Sequence, residues 1–242
     1  MMATAPSTFG TQLRAWRQRR RMSQLDLALE AEISARHLSF VETGKSQPSR
    51  EMVLRLAERL DVPLRDRNVL LSAAGFAPVF PERKLDDPAM QNATRAVELV
   101  LKGHEPYPAL AIDRHWTMLA ANAGVAPLLA GASAALLAPP VNVLRLSLHP
   151  EGLSRRIVNL AQWRAHLFER LRRQVEITAD PVLASLLKEL EGYPSPRPAG
   201  TATESNCADV IVPLRLRTGG DTVLSFISTT TVFGTPQDIT LS

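Results

Sequence analysis

Arg36, His37, Ser39 and Phe40 stand close together in the stretch Ser34-Ala-Arg-His-Leu-Ser-Phe-Val-Glu-Thr-Gly44. If Leu38 and Val41 mark the buried side of a helix, these four residues and Ala35 lie on its outer side. That side has the chemistry of a base reader. The guanidinium of Arg36 matches O6 and N7 of a guanine, and the methyl of Ala35 or the ring of Phe40 matches the methyl of a thymine. Side chains near the start of such a helix, from the cap Ser34 onward, reach base edges in a major groove. Lys45, Ser46 and Arg50 follow, where phosphate contacts are expected. Gln24, ahead of the stretch, points its amide and the start of its own helix toward phosphate. The alternative is a solvated helical hairpin that docks on a protein.

Neighbouring segments must hold that helix outward. Ser23 is an N-cap, its hydroxyl accepting a bond from an otherwise orphaned backbone N–H. Leu27, Ala28 and Ala31 then share one face, the alanines small enough for a close helix approach. Ile33 is an apolar plug before the second cap, Ser34. Gly44 closes the second helix, because the left-handed conformation beyond a helix end suits glycine. Pro48-Ser49-Arg50 opens a further helix with Val53, Leu54, Leu56, Ala57 and Leu60 on its apolar face. Pro63 begins another, carrying Val69, Leu70 and Ala73.

This region resembles the xenobiotic-response-element family of bacterial and phage helix-turn-helix domains. The resemblance rests on Arg17, Ser23-Gln24, Leu27-Ala28 and Phe40-Val41-Glu42-Thr43-Gly44. It implies a lambda-repressor-like, all-α bundle of five helices, here at about 9–21, 23–31, 34–43, 49–60 and 64–74. It implies that Arg17 pairs with Glu42 and ties the first helix to the reading helix. Double-stranded DNA is the implied partner, bound by a homodimer at two half-sites.

The charge distribution agrees with that partner. Residues 1–80 hold twelve Lys and Arg against eight Asp and Glu, and residues 81–242 hold sixteen of each, so the net charge of +4 sits beside the reading helix. Arg14, Arg17, Arg19, Arg20 and Arg21 crowd the first helix without an acid among them, a cluster suited to neutralising phosphate. The chain lacks an apolar run that would span a bilayer, and Met1–Gly10 lacks a charged-then-apolar signal pattern. Its single cysteine, Cys207, allows no internal disulfide. These features lead to the expectation of a cytoplasmic protein without a membrane partner. A length of 242 residues suits one large or two ordinary domains. The proline-rich stretch 77–88 reads as a linker or extended strap. It divides a DNA-binding domain at 1–76 from a second domain at 89–242.

In the second domain, 89–102 is helical by pattern, with Val97, Val100 and Leu101 inward and Gly103 as its stop. Pro108–Asp113 reads as a short strand, Arg114-His115 as a turn and Trp116–Ala121 as the partner strand. Asn122 is the expected cap of a helix at 123–130, and further helices are expected at 141–148, 154–177 and 181–190. The longest keeps Ile157, Leu160, Ala161, Leu167, Phe168, Leu171 and Val175 at core spacing, with arginines on its other side. Residues 193–209 read as a loop and 210–217 as a strand. Gly219-Gly220-Asp221 reads as a hairpin turn. Residues 222–233 form a β-branched strand, broken by Gly234-Thr-Pro236 before an element that starts at Asp238. Two hairpins around a helical insert point to one small antiparallel sheet flanked by helices, an α+β domain that is PAS-like in outline.

The order of these parts resembles the MmyB-like ligand-binding domain. The matching pieces are Pro108-Ala-Leu-Ala-Ile-Asp-Arg-His-Trp116, Ala120-Ala-Asn122, Asn142-Val-Leu-Arg145, His149-Pro150 and the arginine-rich helix. The resemblance implies a PAS-like fold and, in some members, a bound fatty acid. Members usually continue past the point where this chain ends, so a truncated last element is expected. The expected site is an apolar pocket walled by Ala109, Ala111, Met118, Val143, Leu144, Phe226 and Phe233. Asn142, Arg145 or His149 at its mouth would hold a carboxylate. Alternatively the apolar residues only fill a core and Arg145 forms an ion pair. No catalytic residue, metal site or cofactor is expected, because the five histidines lack metal-ligand spacing and no phosphate loop or nucleophile motif occurs. The rival readings are a domain that only dimerises or docks a protein, haem held by His104, His115 or His149, and an enzyme acting on lipid or thioester.

Overall fold

The computed structural model describes residues 8–83, 87–194, 212–218 and 222–231. They fall into two compact units, 8–83 and 87–231.

The first unit is five helices: α1 (Phe9–Arg19), α2 (Gln24–Glu30), α3 (Ala35–Glu42), α4 (Arg50–Arg59) and α5 (Leu64–Ala73). Four of them begin on a hydroxyl cap. Thr8, Ser23, Ser34 and Ser49 accept from the N–H groups of Thr11, Asp26, His37 and Met52, and each such cap is worth about 1 kcal/mol. At Ser23 the Asp26 carboxylate also accepts from the Ser23 N–H at 2.8 Å, which completes a capping box. α1, α2 and α4 end through left-handed Arg21, Glu32 and Asp61. The N–H groups of Met22, Ile33 and Val62 then reach back to the carbonyls of Arg17, Ala28 and Ala57. Gly44, at φ +73°, serves the same purpose after α3.

Leu13, Leu27, Leu38, Leu56, Leu60, Leu70 and Leu71 are fully buried between these helices, and each contributes about 1.5–3 kcal/mol. Val69 is exposed and Leu71 takes the inward position expected of it. Gly10 is where α1 meets α3: a Cβ there would run into the backbone carbonyls of Val41 and Glu42. The stretch after α5 is strapped onto it. Asn68 donates to the Phe80 carbonyl at 2.7 Å and accepts from the Val79 and Phe80 N–H groups. Arg65 pairs with Glu82.

The second unit opens with a 3-10 turn (Pro88–Met90) and α6 (Gln91–Gly103), followed by the ribbon β1 (Leu110–Ile112) and β2 (Met118–Ala121). Short helices α7 (Ala126–Leu129), α8 (Ala134–Leu137) and α9 (Val143–Leu148) lead to the antiparallel-packed α10 (Leu160–Thr178) and α11 (Pro181–Glu191). A second ribbon, β3 (Leu214–Arg217) and β4 (Val223–Phe226), completes it. Its core gathers Trp116, Leu144, Leu148, Ile157, Trp163, Leu171, Leu183, Leu190 and Leu216.

The unit is α+β, and among the described residues its strands form two separate two-stranded ribbons rather than one sheet. Each strand has only three or four residues, and the second edge of each ribbon meets an irregular segment. Thr117 bridges Asn142 and Ile157 bridges Leu216. That last bridge moves the start of the long helix. Ile157 leaves helical geometry at ψ 112°, the Val158 N–H bonds Arg215, and α10 begins at Leu160 instead of Ser154. On α10 Trp163 is buried and Ala161 is exposed. Val100 of α6 is 49% exposed and only Leu101 of that helix is buried.

Asn122 does not use its side chain as a cap. It donates to the carbonyls of Leu101 and Tyr107 and accepts from the Ala109 N–H, tying the end of α6 to β1. The Gly219-Gly220-Asp221 turn, Cys207, Phe233 and the elements expected beyond residue 231 lie outside the described residues, as does nearly all of the 193–209 loop.

Candidate functional site

Helix α3 is fixed from below by a buried ion pair. The Nε and a terminal nitrogen of Arg17 on α1 donate to the two carboxylate oxygens of Glu42 at 2.6 and 2.9 Å. The other terminal nitrogen of Arg17 donates to the Met22 carbonyl at 2.8 Å, and the Gln24 amide donates to Glu42 at 2.8 Å. The Glu42 side chain is 2% exposed. Burial alone would push its carboxyl up. The bonds from Arg17 and Gln24, with the charges of Arg17 and Arg14, outweigh burial and hold it below the ordinary glutamate range. One guanidinium and one amide thus lock α1, α2 and α3 into a single block. The amide of Gln24, read from sequence as aimed at phosphate, gives a hydrogen to this network.

The opposite side of α3 is open at Arg36, while Ala35 packs in part against the core. Arg36 is exposed, and Ala35, His37, Ser39 and Phe40 are half-buried. The Arg36 guanidinium lies 5.4 Å from the Phe40 ring and the Lys45 ammonium 5.9 Å from it. Phe40 therefore flanks both cations, a contact that limits how freely they swing. Ser34 spends its hydroxyl on the His37 N–H as the cap of α3. Lys45 and Arg50 are exposed in the turn after α3 and at the start of α4.

The arginine cluster of α1 is divided between tasks. Arg17 is in the buried pair, and Arg20 donates to the carbonyls of Leu60 and Asp61 at 2.7 and 2.8 Å, satisfying the end of α4. Arg19 stacks 4.5 Å from the Trp16 ring. Fewer of these cations face solvent than the sequence count implied.

In the second unit a cleft of about 240 Å³ is lined by His115, Thr117, Asn142, Arg145, Val182, Ser185, Leu186 and Glu189. Asn142 and Arg145, two of the residues expected at a ligand mouth, are on it. Asn142 is held in place: its carbonyl oxygen accepts from the Leu144 and Arg145 N–H groups and its amide donates to the His115 carbonyl. Arg145 makes a bidentate pair with Glu189, at 2.8 and 2.7 Å. That bond and the neighbouring positive charge hold Glu189 below its ordinary range. Tyr193, half-buried and donating to Glu189 at 2.7 Å, is pushed up to about 12 by burial and by that carboxylate.

The remaining expected ligand residues lie elsewhere. Leu144 is buried, and Met118, Val143 and Phe226 pack against the same core. His149 stands edge-on to Tyr193 and accepts from the Glu151 N–H. His115 meets Asp180 at 2.8 Å, and His104 lies against the Val100 carbonyl. Sequence reasoning missed Thr117, Ser185 and Glu189 as companions of Arg145, and Asp180 as the partner of His115. Val182, Ser185, Leu186 and Glu189 share one face of α11 by spacing, and it is the packing that sets this face against Asn142 and Arg145.

Among the described residues no group of three His, Cys, Asp or Glu is placed to hold a metal ion, and no helix is long and apolar enough to cross a membrane.

Comparison with known families agrees with this division. Residues 13–66 match the helix-turn-helix family model. Residues 93–242 match the model of the MmyB-like transcription regulator ligand binding domain. A comparison with curated proteins found no match. With more than half its length inside the second model, the chain belongs to the MmyB-like transcription regulators, DNA-binding proteins in which a helix-turn-helix precedes a ligand-binding domain.

Proposed function

We propose that the protein is a homodimeric, sequence-specific regulator working in the cytoplasm, reading DNA with residues 1–76 and a small ligand with residues 89–242. The observation that carries the DNA half is the clamped α3, whose buried side is bonded through Glu42 while Arg36 stays exposed. In this reading Ala35, Arg36, His37, Ser39 and Phe40 face base edges. Lys45, Arg50 and the helix starts at Gln24 and Ser34 face phosphates. Arg17 and Glu42 position the reader.

For the ligand half, the resemblance brings a fatty acid. An acyl chain would have to enter among Met118, Val143, Leu144 and Phe226, which fill the core. The cleft that carries Asn142 and Arg145 is smaller than the roughly 300–1,000 Å³ usual for pockets of drug-sized ligands. This favours a small molecule with a carboxylate end. Such a ligand regulates only if it binds one arrangement of the dimer more tightly than the other.

Fluorescence anisotropy on DNA selected from a random library tests the DNA half. A nanomolar, strongly salt-dependent complex is expected; affinity indifferent to sequence and salt would refute it.

A further inference from the structure

We propose that the cleft along α11 takes a compact α-hydroxy or α-amino carboxylate, held through Arg145. The proposal rests on the reading of this unit as a ligand-binding domain and supplies the chemical class of its ligand.

The cleft has two walls. Val182, Ser185, Leu186 and Glu189, spaced three, four and seven residues along α11, form one. They extend for two turns, about 10 Å. His115, Thr117, Asn142 and Arg145 form the other. A volume of about 240 Å³, at about 30 Å³ per water-sized group, has room for roughly eight non-hydrogen atoms. That suits a three- to five-carbon acid.

The lining mixes apolar and polar groups, and part of the polar share is uncommitted. The hydroxyls of Thr117 and Ser185 have no protein hydrogen-bond partner among the described residues, and Leu186 supplies an apolar floor. At one end the fork of Arg145 is closed by Glu189, with the two side chains 44% and 38% exposed. A pair so open to water is weak, and a ligand carboxylate can replace Glu189 on the same two N–H groups, like for like.

The wall that carries Thr117 is set in advance by backbone. Trp116 sits at φ +66°, a conformation a bulky side chain rarely adopts. Its neighbours hold it there. Asp113 accepts from the N–H groups of His115 and Thr117, both at 2.8 Å. The indole donates to Gln174 at 2.7 Å, and Val143 bonds the Trp116 carbonyl. The indole is thereby sent into the core while His115 and Thr117 line the cleft. Backbone strain of this kind persists where surroundings over-determine it and is concentrated at binding sites.

Hydroxy and amino acids share the carboxylate and the adjacent donor, and Glu189 distinguishes them. Once displaced it can receive an ammonium group as a new ion pair, whereas a hydroxy acid offers it only a neutral donor in place of the Arg145 charge. Calorimetric titration of the full chain would use lactate, 2-hydroxybutyrate, alanine and valine, the amides of the same acids, and decanoate. Saturable binding of at least one hydroxy or amino acid is expected, at least tenfold weaker for its amide and in Arg145→Gln, and weakened in Thr117→Val and Ser185→Ala. Glu189→Gln should tighten a hydroxy acid several-fold or weaken an amino acid. Silence from every acid, binding of decanoate alone, or affinity untouched by these substitutions overturns the proposal. DNA affinity measured on the same samples reports separately on the DNA reading.

Discussion

Replacing Glu42 by Gln tests whether the reading helix is clamped by charge. The substitution keeps the size of the side chain but leaves the Arg17 guanidinium, whose side chain is 10% exposed, without its counter-charge. Breaking a buried pair in this way typically costs about 3–5 kcal/mol. The amide oxygen still accepts one bond, so the lower end, about 3 kcal/mol, is expected. For a domain of 60–100 residues each kcal/mol moves the melting temperature by about 4–8 °C, which gives a fall of roughly 12–24 °C for the first unit. Hydrogen-exchange mass spectrometry locates the effect. Peptides from α1, α2 and α3 should lose protection together, while those from α10 and α11 keep theirs. The double variant Arg17→Met with Glu42→Leu should recover most of the stability, because an apolar pair needs no counter-charge. A Glu42→Gln loss below about 0.5 kcal/mol, in the range of ordinary surface substitutions, would refute the clamp.

The same carboxylate sets an acid limit. Its folded value is depressed, so its contribution is complete above the ordinary value of 4.5 and disappears as pH falls through the lower folded value. Urea midpoints of the first unit should stay level from neutral pH to about 5 and then drop, with a smaller drop in Glu42→Gln. Gly10→Ala should destabilise by about 1–3 kcal/mol in chemical denaturation, since the new methyl meets the carbonyls of Val41 and Glu42; an unchanged midpoint would show that α1 and α3 are not so close. Lys45→Gln and Arg50→Gln should weaken all DNA sequences alike and each lower the salt slope by about one. A loss restricted to particular bases would instead make them base readers.

The first domain was largely legible because its signals are local. Ser23, Ser34 and Ser49 stand immediately before periodic apolar runs, and Gly44 stands where α3 must stop, so the helix limits follow from neighbouring residues. The left-handed ends at Arg21 and Glu32 were not legible, since those residue types give no sign of positive φ, and Asp61 gives only a weak one. The role of Arg20 depends on the end of α4, forty residues away, and spacing along one helix cannot reveal it. In the second unit the long-range terms dominate. The Ile157–Leu216 bridge cuts a helix that periodicity alone would continue. Asn122 looks like a cap and acts as a three-way tie, because the carbonyls of Leu101 and Tyr107 and the Ala109 N–H come within its reach. Arg145 was picked out as a candidate, yet its partner Glu189 is forty-four residues on and only the packing of α9 against α11 brings them together.

The account depends most on the exposed side of α3, and DNA selected by the wild-type protein and by Arg36→Ala addresses it directly. The wild type should enrich a two-fold symmetric site with a guanine preference in each half. Arg36→Ala should lose that preference at one position per half-site, by about 1–3 kcal/mol, while the rest of the motif persists. An unenriched library at low salt, or the same motif from both proteins, would contradict the assignment of α3 as the reader.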